Sequence, residues 1–312
     1  MRNIHLSFSS GPANLAGTLV TDEQAGPGPA VLLLSGSGPI DRDSNSEQLS
    51  IGVMEQVAGH LALHGLASFR YDKRGVGESG GDFMSSGLHD NIDDAAAAIE
   101  TLRARADVDP ERIIVVGHSE GAVIATELAA ADPGLAGVVL LAGTATLGAD
   151  LLRWQAVQVS ASQARPVRLL SRVLRRDVVR TQCKRLEQIE ESTGDTARIH
   201  RVEMNVKWLR EFMAHDPAPS LESIRVPVLA LTGSKDIQVD PDDVRRIGQL
   251  VPADCSARIV DGLTHLLRTE AGPPSLRAYD EQAKRPVDAG LLATVTRWAR
   301  QRATQASSET TS

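Results

Sequence analysis

Four short runs without a single polar interruption constrain this chain more than any other feature: Val31 to Leu34, Ile113 to Val116, Val138 to Leu141, and Val228 to Leu231. A strand with one wet face alternates apolar and polar residues, whereas an unbroken run of four suits a strand covered on both sides. Helix-like periodicity fills the intervals from Glu47 to His64, Asp90 to Ala106 and Glu120 to Ala131, with a further strand at Ala67 to Tyr71. This alternation predicts the α/β class, with a mostly parallel sheet and helices on both faces. The chain opens with an expected hairpin, Ile4 to Phe8 and Asn14 to Val20, around Ser9-Ser10-Gly11-Pro12. After Val228 to Thr232 the rhythm resumes with a helix near Pro241 to Leu250, a strand near Ala257 to Val260 and a last helix from Ala289 to Gln301.

The rhythm is broken once. Between Val138 to Leu141 and Val228 to Thr232 the chain is helical in composition, and Leu151 to His215 holds 13 Lys/Arg against 7 Asp/Glu, +6 within a chain of net charge -7. The expected division is a core from 1 to 147, a helical cap insertion from 148 to 222, a second core part from 223 to 302 and a disordered tail from 303 to 312. Ligands of such sheets bind beyond the carboxyl ends of the strands, so the insertion is expected above that edge. Its basic excess suits either a solvated helix surface or attraction of an anionic substrate. The pair Arg175-Arg176 is a candidate contact between like chains, and Trp154, Trp208 and Phe212 are candidates for helix packing or an acyl pocket.

The net charge of -7 argues against nucleic acid as a partner. The longest apolar runs fall far short of the roughly 18 residues of a membrane helix. Two cysteines, Cys183 and Cys255, form no metal-binding spacing, and Met1 to Val20 lacks an apolar signal core, which predicts a cytoplasmic protein without structural metal.

Immediately after Ile113 to Val116 stands Gly117-His118-Ser119-Glu120-Gly121, followed by a helix-favouring segment. This is G-x-S-x-G in strand-turn-helix context, in which small flanking residues allow the sharp turn that presents the serine hydroxyl. A serine hydroxyl is a weak nucleophile until a base accepts its proton. Of eight histidines, His118 is adjacent in the turn, His60 and His64 share an early helix, and His200 and His215 fall in the insertion. His265, in Asp261-Gly262-Leu263-Thr264-His265-Leu266, follows the last expected strand and so reaches the edge that carries Ser119. The base in turn needs a carboxylate. Asp236, in Gly233-Ser234-Lys235-Asp236, follows Val228 to Thr232 on the same edge, with Asp240, Asp242 and Asp261 as competitors.

The order Ser119, Asp236, His265 resembles that of the α/β-hydrolase family, and the likeness covers nearly the whole chain. Tyr71-Asp72-Lys73-Arg74-Gly75-Val76-Gly77-Glu78-Ser79 is similar to the D-x-R-G-x-G-x-S segment after the fourth strand of that family. Gly36-Ser37-Gly38-Pro39 with Asp41-Arg42-Asp43 resembles a stretch of bacterial serine esterases in the prolyl-oligopeptidase-like and serine aminopeptidase-like branch. Asp41-Arg42-Asp43 reads as loop-stiffening ion pairs, and Asp72 with Arg74 as a structural pair.

The resemblance implies an α/β-hydrolase fold with a helical cap and a serine hydrolase that cleaves a carboxylic ester through an acyl-enzyme. Ser119 is then the nucleophile, His265 the base and Asp236 the acid, with the backbone N–H groups of Ser37 and Glu120 as oxyanion donors. The substrate implied is a small acyl compound; no cofactor and no metal are called for, and self-association stays open. The same triad serves thioesterases, amidases and iminopeptidases, and a non-catalytic ligand-binding protein on this fold is the remaining reading.

Overall fold

A computed structural model of the chain describes residues 1–22, 26–162, 178–199 and 202–309. The opening hairpin pairs β1 (Arg2–Ser10) with β2 (Ala13–Thr21). There follow β3 (Gly28–Leu34), α1 (Val53–Leu63), β4 (Ala67–Tyr71), α2 (Leu88–Arg103), β5 (Val108–His118), α3 (Glu120–Ala131) and β6 (Gly137–Leu141). The insertion holds α4 (Gly148–Ser162), α5 (Val178–Glu190), the strands β7 (Thr196–Ile199) and β8 (Val202–Asn205), α6 (Val206–Ala214) and α7 (Ala218–Ser223). β9 (Val228–Gly233), α8 (Asp243–Leu250), β10 (Cys255–Val260), α9 (Tyr279–Ala283) and α10 (Ala289–Glu309) complete the fold.

Eight strands form one sheet in the order β1-β2-β4-β3-β5-β6-β9-β10, antiparallel at β1-β2 and β2-β4 and parallel from β4 to β10. Successive side chains of a strand point to opposite faces, and the apolar runs divide accordingly. Leu32, Leu34, Ile113, Val115, Val138, Leu140, Val228 and Ala230 pack with α2, α3 and α8. Val31, Leu33, Ile114, Val116, Val139, Leu141, Leu229 and Leu231 pack with α1 and α10. This is why the runs are uninterrupted: each residue has a dry neighbour on one face or the other.

After β3 the chain builds outward to β4, then crosses back to place β5 on the other side of β3. The loops after β3 and β5 therefore diverge at the carboxyl edge, where a crevice is expected.

The structure adds two details to these expectations. Besides its helices the insertion holds an antiparallel ladder of Thr196–Ile199 with Val202–Asn205, favoured by the β-branched Thr196 and Val202. Residues 303–309 continue α10, with Ala303 buried in the cluster beneath α1. Residues 310–312 lie outside the described residues, as do Arg175, Arg176 and His200. Among the described residues no helix is long and apolar enough to cross a membrane.

Candidate active site

Because β3, β4, β5, β6, β9 and β10 are parallel, the loops that follow them share one edge. Ser119 follows β5 directly, with φ 57° and ψ -118°, a sparsely populated positive-φ conformation that non-glycine residues hold at a cost of about 1–3 kcal/mol. The turn is tight enough to dictate its flanks. A Cβ on Gly117 would stand 1.9 Å from the carbonyl oxygen of Gly121, and one on Gly121 would stand 2.2 Å from that of Leu34. No side chain fits at either position, so the glycines of the motif answer to close approach.

Asp236 and His265 come to this turn from the loops after β9 and β10. His265 Nδ1 lies 2.8 Å from Asp236 Oδ2, and His265 Nε2 lies 3.1 Å from Ser119 Oγ. A carboxylate only accepts, so Nδ1 carries the proton and the Nε2 lone pair faces the serine hydroxyl. Asp236 Oδ1 is held by the backbone N–H groups of Gln238 at 2.7 Å and Val239 at 2.9 Å. Asp236 and His265 are both buried. The competing carboxylates are engaged elsewhere: Asp240 Oδ1 accepts from the N–H of Asp242, Asp242 pairs with Arg245, and Asp261 accepts from the Ser234 hydroxyl.

His118 has a different place. Its Nε2 donates to the carbonyl of His265 at 2.9 Å, and the two rings stand 5.0 Å apart. Burial, reinforced by the neighbouring His265, pushes the His118 imidazole down to about 3. It is a neutral strut beneath the histidine loop.

The loop after β3 lies against the serine turn, with the position of a Gly36 Cβ 3.4 Å from Ser119 Cβ. Ser35 anchors it through a hydroxyl contact to Ser44 at 3.0 Å and a hydrogen bond to the Asp41 carbonyl at 3.2 Å. Arg42 is the second anchor, through Asp72 at 2.6 Å and Glu78 at 2.6 Å. The expected local pairings are thus replaced. Asp72 serves Arg42, while Arg74 turns to Asp90 at 3.0 Å and Asp94 at 2.7 Å. Pairs read from adjacent positions miss these partners because the 36–45 loop, the 72–79 turn and α2 meet only in the fold.

Glu120, buried at 3% exposure, is a residue whose side chain the motif gave no role. Its Oε2 accepts from Lys73 Nζ at 2.7 Å, and its Oε1 accepts from Asn91 Nδ2 at 2.7 Å and from Trp208 Nε1 at 2.8 Å. The partners arrive from the 72–79 turn, α2 and α6. A carboxylate placed directly after the serine at a helix N-terminus was the available signal, but its partners are remote in sequence.

Two cavities meet at Ser119. One, of about 280 Å³, is lined by Gly36 to Ile40, Leu49, Ile51, Gln238, His265 and Tyr279. The other, of about 140 Å³, lies beneath the insertion and is lined by Val123, Leu151, Leu152, Trp208, Phe212 and Glu120 among others. The Trp208 and Phe212 rings stack 4.9 Å apart. Trp154 lines neither cavity, and no lysine or arginine among the described residues does. Among the described residues no group of three or more His, Cys, Asp or Glu side chains is arranged to hold a metal ion.

A family model described as serine aminopeptidase, S33, matches residues 49–272, the interval that spans the serine turn, the insertion and the histidine loop. The chain belongs to this family. Within the serine aminopeptidase family and its relatives, the chain is 26% identical over 294 residues to esterase EstD of Thermotoga maritima. That match covers 91% of this chain and 65% of the esterase, so the chain spans somewhat less than two thirds of its relative's length. Among solved structures, Est1E of Butyrivibrio proteoclasticus, with ferulic acid bound, superposes with a TM-score of 0.62 at 16% identity, covering 95% of this chain and 96% of its own. Proline iminopeptidase of Mycobacterium smegmatis superposes with a TM-score of 0.59 at 15% identity, covering 97% and 100%. These likenesses show the fold: this member of the serine aminopeptidase family is an α/β hydrolase in architecture.

Proposed function

We propose that the chain is a serine esterase that hydrolyses short-chain carboxylic esters through an acyl-enzyme. The observation that carries this reading is the bridging of Ser119 Oγ and Asp236 Oδ2 by one imidazole, at 3.1 and 2.8 Å. Ser119 attacks the ester carbonyl as His265 Nε2 takes its proton, and Asp236 stabilises the imidazolium that forms. The N–H groups of Ser37 and Glu120 receive the oxyanion. The imidazolium then gives its proton to the departing alcohol, and water, activated by the same histidine, releases the acid.

Proton transfer fixes which half of the ester lies where. The leaving oxygen must approach His265, and His265 lines the 280 Å³ cavity but not the 140 Å³ one. The alcohol therefore leaves through the larger cavity and the acyl group lies beneath the insertion. That cavity is half the volume of the other, which favours a short acyl chain. An ester is favoured over an aminoacyl substrate because Glu120, the carboxylate lining these cavities among the described residues, already has both oxygens engaged. Among the described residues an α-ammonium group would find no free carboxylate in either cavity.

Initial rates on p-nitrophenyl esters from acetate to laurate test this reading. The expected result is an optimum at butyrate or below, with turnover lost in Ser119→Ala. Turnover that survives in Ser119→Ala, or no hydrolysis of any ester by folded protein, overturns it.

A further inference from the structure

Lys73 performs no step of the reaction just described, yet it is buried at 7% exposure on the edge that carries Ser119. Its ammonium makes two hydrogen bonds, to the Glu120 carboxylate at 2.7 Å and to the carbonyl oxygen of Gly36 at 2.7 Å. The second is the informative one. The Gly36 carbonyl and the Ser37 N–H belong to the same peptide unit, which is planar and trans, so the two groups point in opposite directions. A cation fixed on the carbonyl therefore aims the Ser37 N–H away from itself. It also draws electron density from the oxygen, which makes that N–H a stronger donor, as in chains of mutually polarising hydrogen bonds.

The Lys73–Glu120 contact extends this to the second donor, since Glu120 supplies the other N–H. Glu120 in turn is fixed by Asn91 and Trp208, which leaves its carboxylate satisfied in a buried place. Desolvation of a buried ion pair offsets much of its attraction, so a charge kept here calls for a role besides stability. We propose that Lys73 is a positioning residue for the oxyanion site: its ammonium orients and polarises the Gly36–Ser37 peptide and, through Glu120, ties both oxyanion donors into one charged unit. This rests on Ser119 being the nucleophile.

Polarisation acts on developing negative charge and not on a neutral ester, so its loss is read in kcat and in tetrahedral adducts. Three variants are compared on p-nitrophenyl acetate: Lys73→Met, Lys73→Arg, and the neutral pair Lys73→Gln/Glu120→Gln, which avoids stranding a buried carboxylate. Removing an oxyanion donor outright costs about 100- to 1000-fold, and a donor weakened but kept should cost less. Lys73→Met and the neutral pair are expected to lose about 10- to 100-fold in kcat with KM within about threefold, and affinity for phenylboronic acid should fall by the same factor. Lys73→Arg, which keeps the cation, should recover part of both. Covalent labelling of Ser119 by a fluorophosphonate runs alongside, with Ser119→Ala as the control.

Labelling that persists in Ser119→Ala overturns the nucleophile reading on which the proposal rests. Labelling confined to Ser119, with the folded neutral pair turning over at the wild-type kcat or losing activity only through KM, overturns the role of Lys73 alone. The neutral pair decides the matter even where Lys73→Met fails to fold.

Discussion

The sheet edge and the insertion both bring side chains to Ser119, by different physical means. Ser119 and Asp236 each follow a strand whose residues are buried on two faces by large apolar clusters, and His265 follows the half-buried edge strand β10, which pairs with β9. Their relative positions are thus inherited from backbone pairing and close packing, which tolerate little displacement. In the insertion, α4, α5 and α6 share a small cluster of their own, Leu186, Ile189, Val206 and Met213. Polar contacts help to fix it to the core: Asn205 Nδ2 to the carbonyls of Phe83 at 2.6 Å and Ser86 at 2.7 Å, Lys207 to Asp90 at 2.7 Å, and Trp208 to Glu120 at 2.8 Å. The lesson is a division of labour. Changes at the sheet edge should alter whether the reaction proceeds, and changes in the insertion should alter what is accepted.

The largest effect belongs to the sheet. Ser119→Ala is expected to lower kcat by about four to six orders of magnitude with little change in thermal stability, measured by ester hydrolysis and calorimetry. Asp236→Asn should follow, at about 10⁴-fold, because the amide cannot hold the His265 tautomer as a carboxylate does. An intact Asp236→Asn enzyme would move the acid role to another residue and remove β9 from the comparison.

The third effect concerns stability, and its sign follows from His118. Its imidazole titrates near 6.5 when unfolded and near 3 when buried, where burial is the main cause. Between those values the unfolded chain binds a proton that the folded chain refuses, so stability is full above pH 6.5 and falls as pH drops toward 3. The slope from this group approaches 1.4 kcal/mol per pH unit, about tenfold in the folding equilibrium. Denaturant titrations across that range should show a shallower slope in His118→Asn than in the wild type, the remainder coming from groups such as His60, His215 and Asp72, which are also held below their ordinary values. Equal slopes would mean that His118 is not what makes the histidine loop acid-sensitive.

The smallest effect belongs to the insertion. Leu152→Ala, which enlarges the 140 Å³ cavity, should move the chain-length optimum of p-nitrophenyl esters by about two carbons, with activity on the best ester within a few-fold of wild type. A collapse of activity on all esters would show the insertion sharing the catalytic task, and the division of labour would fail.

The same contrast explains what could be read from sequence. The apolar runs announce the buried strands, and residues directly following a strand end fall on a known edge; so Ser119, Asp236 and His265 could be placed together without coordinates. The partners of Glu120 could not. Lys73, Asn91 and Trp208 are separated by up to 135 positions, and each looks locally like an ordinary turn, helix or packing residue. Arg42 is similar: its neighbours Asp41 and Asp43 suggest a local pair, whereas Asp72 lies across the loop crevice. The β7-β8 ladder escaped because four-residue strands leave little periodicity to detect within a helix-rich composition.

The backbone of Ser119 has a temporal consequence. Its φ of 57° is held in place by β3, β5 and α3 together, since Gly121 fits only against the Leu34 carbonyl. No fragment containing the motif alone can hold that shape, because nothing in a fragment offsets the cost. The Ser119 hydroxyl is thus presented in this geometry only when the central strands have associated and the helix has docked. During refolding, recovered hydrolysis should report the assembly of the sheet from β3 out to β10, whose loops bring Ser119, Asp236 and His265 together.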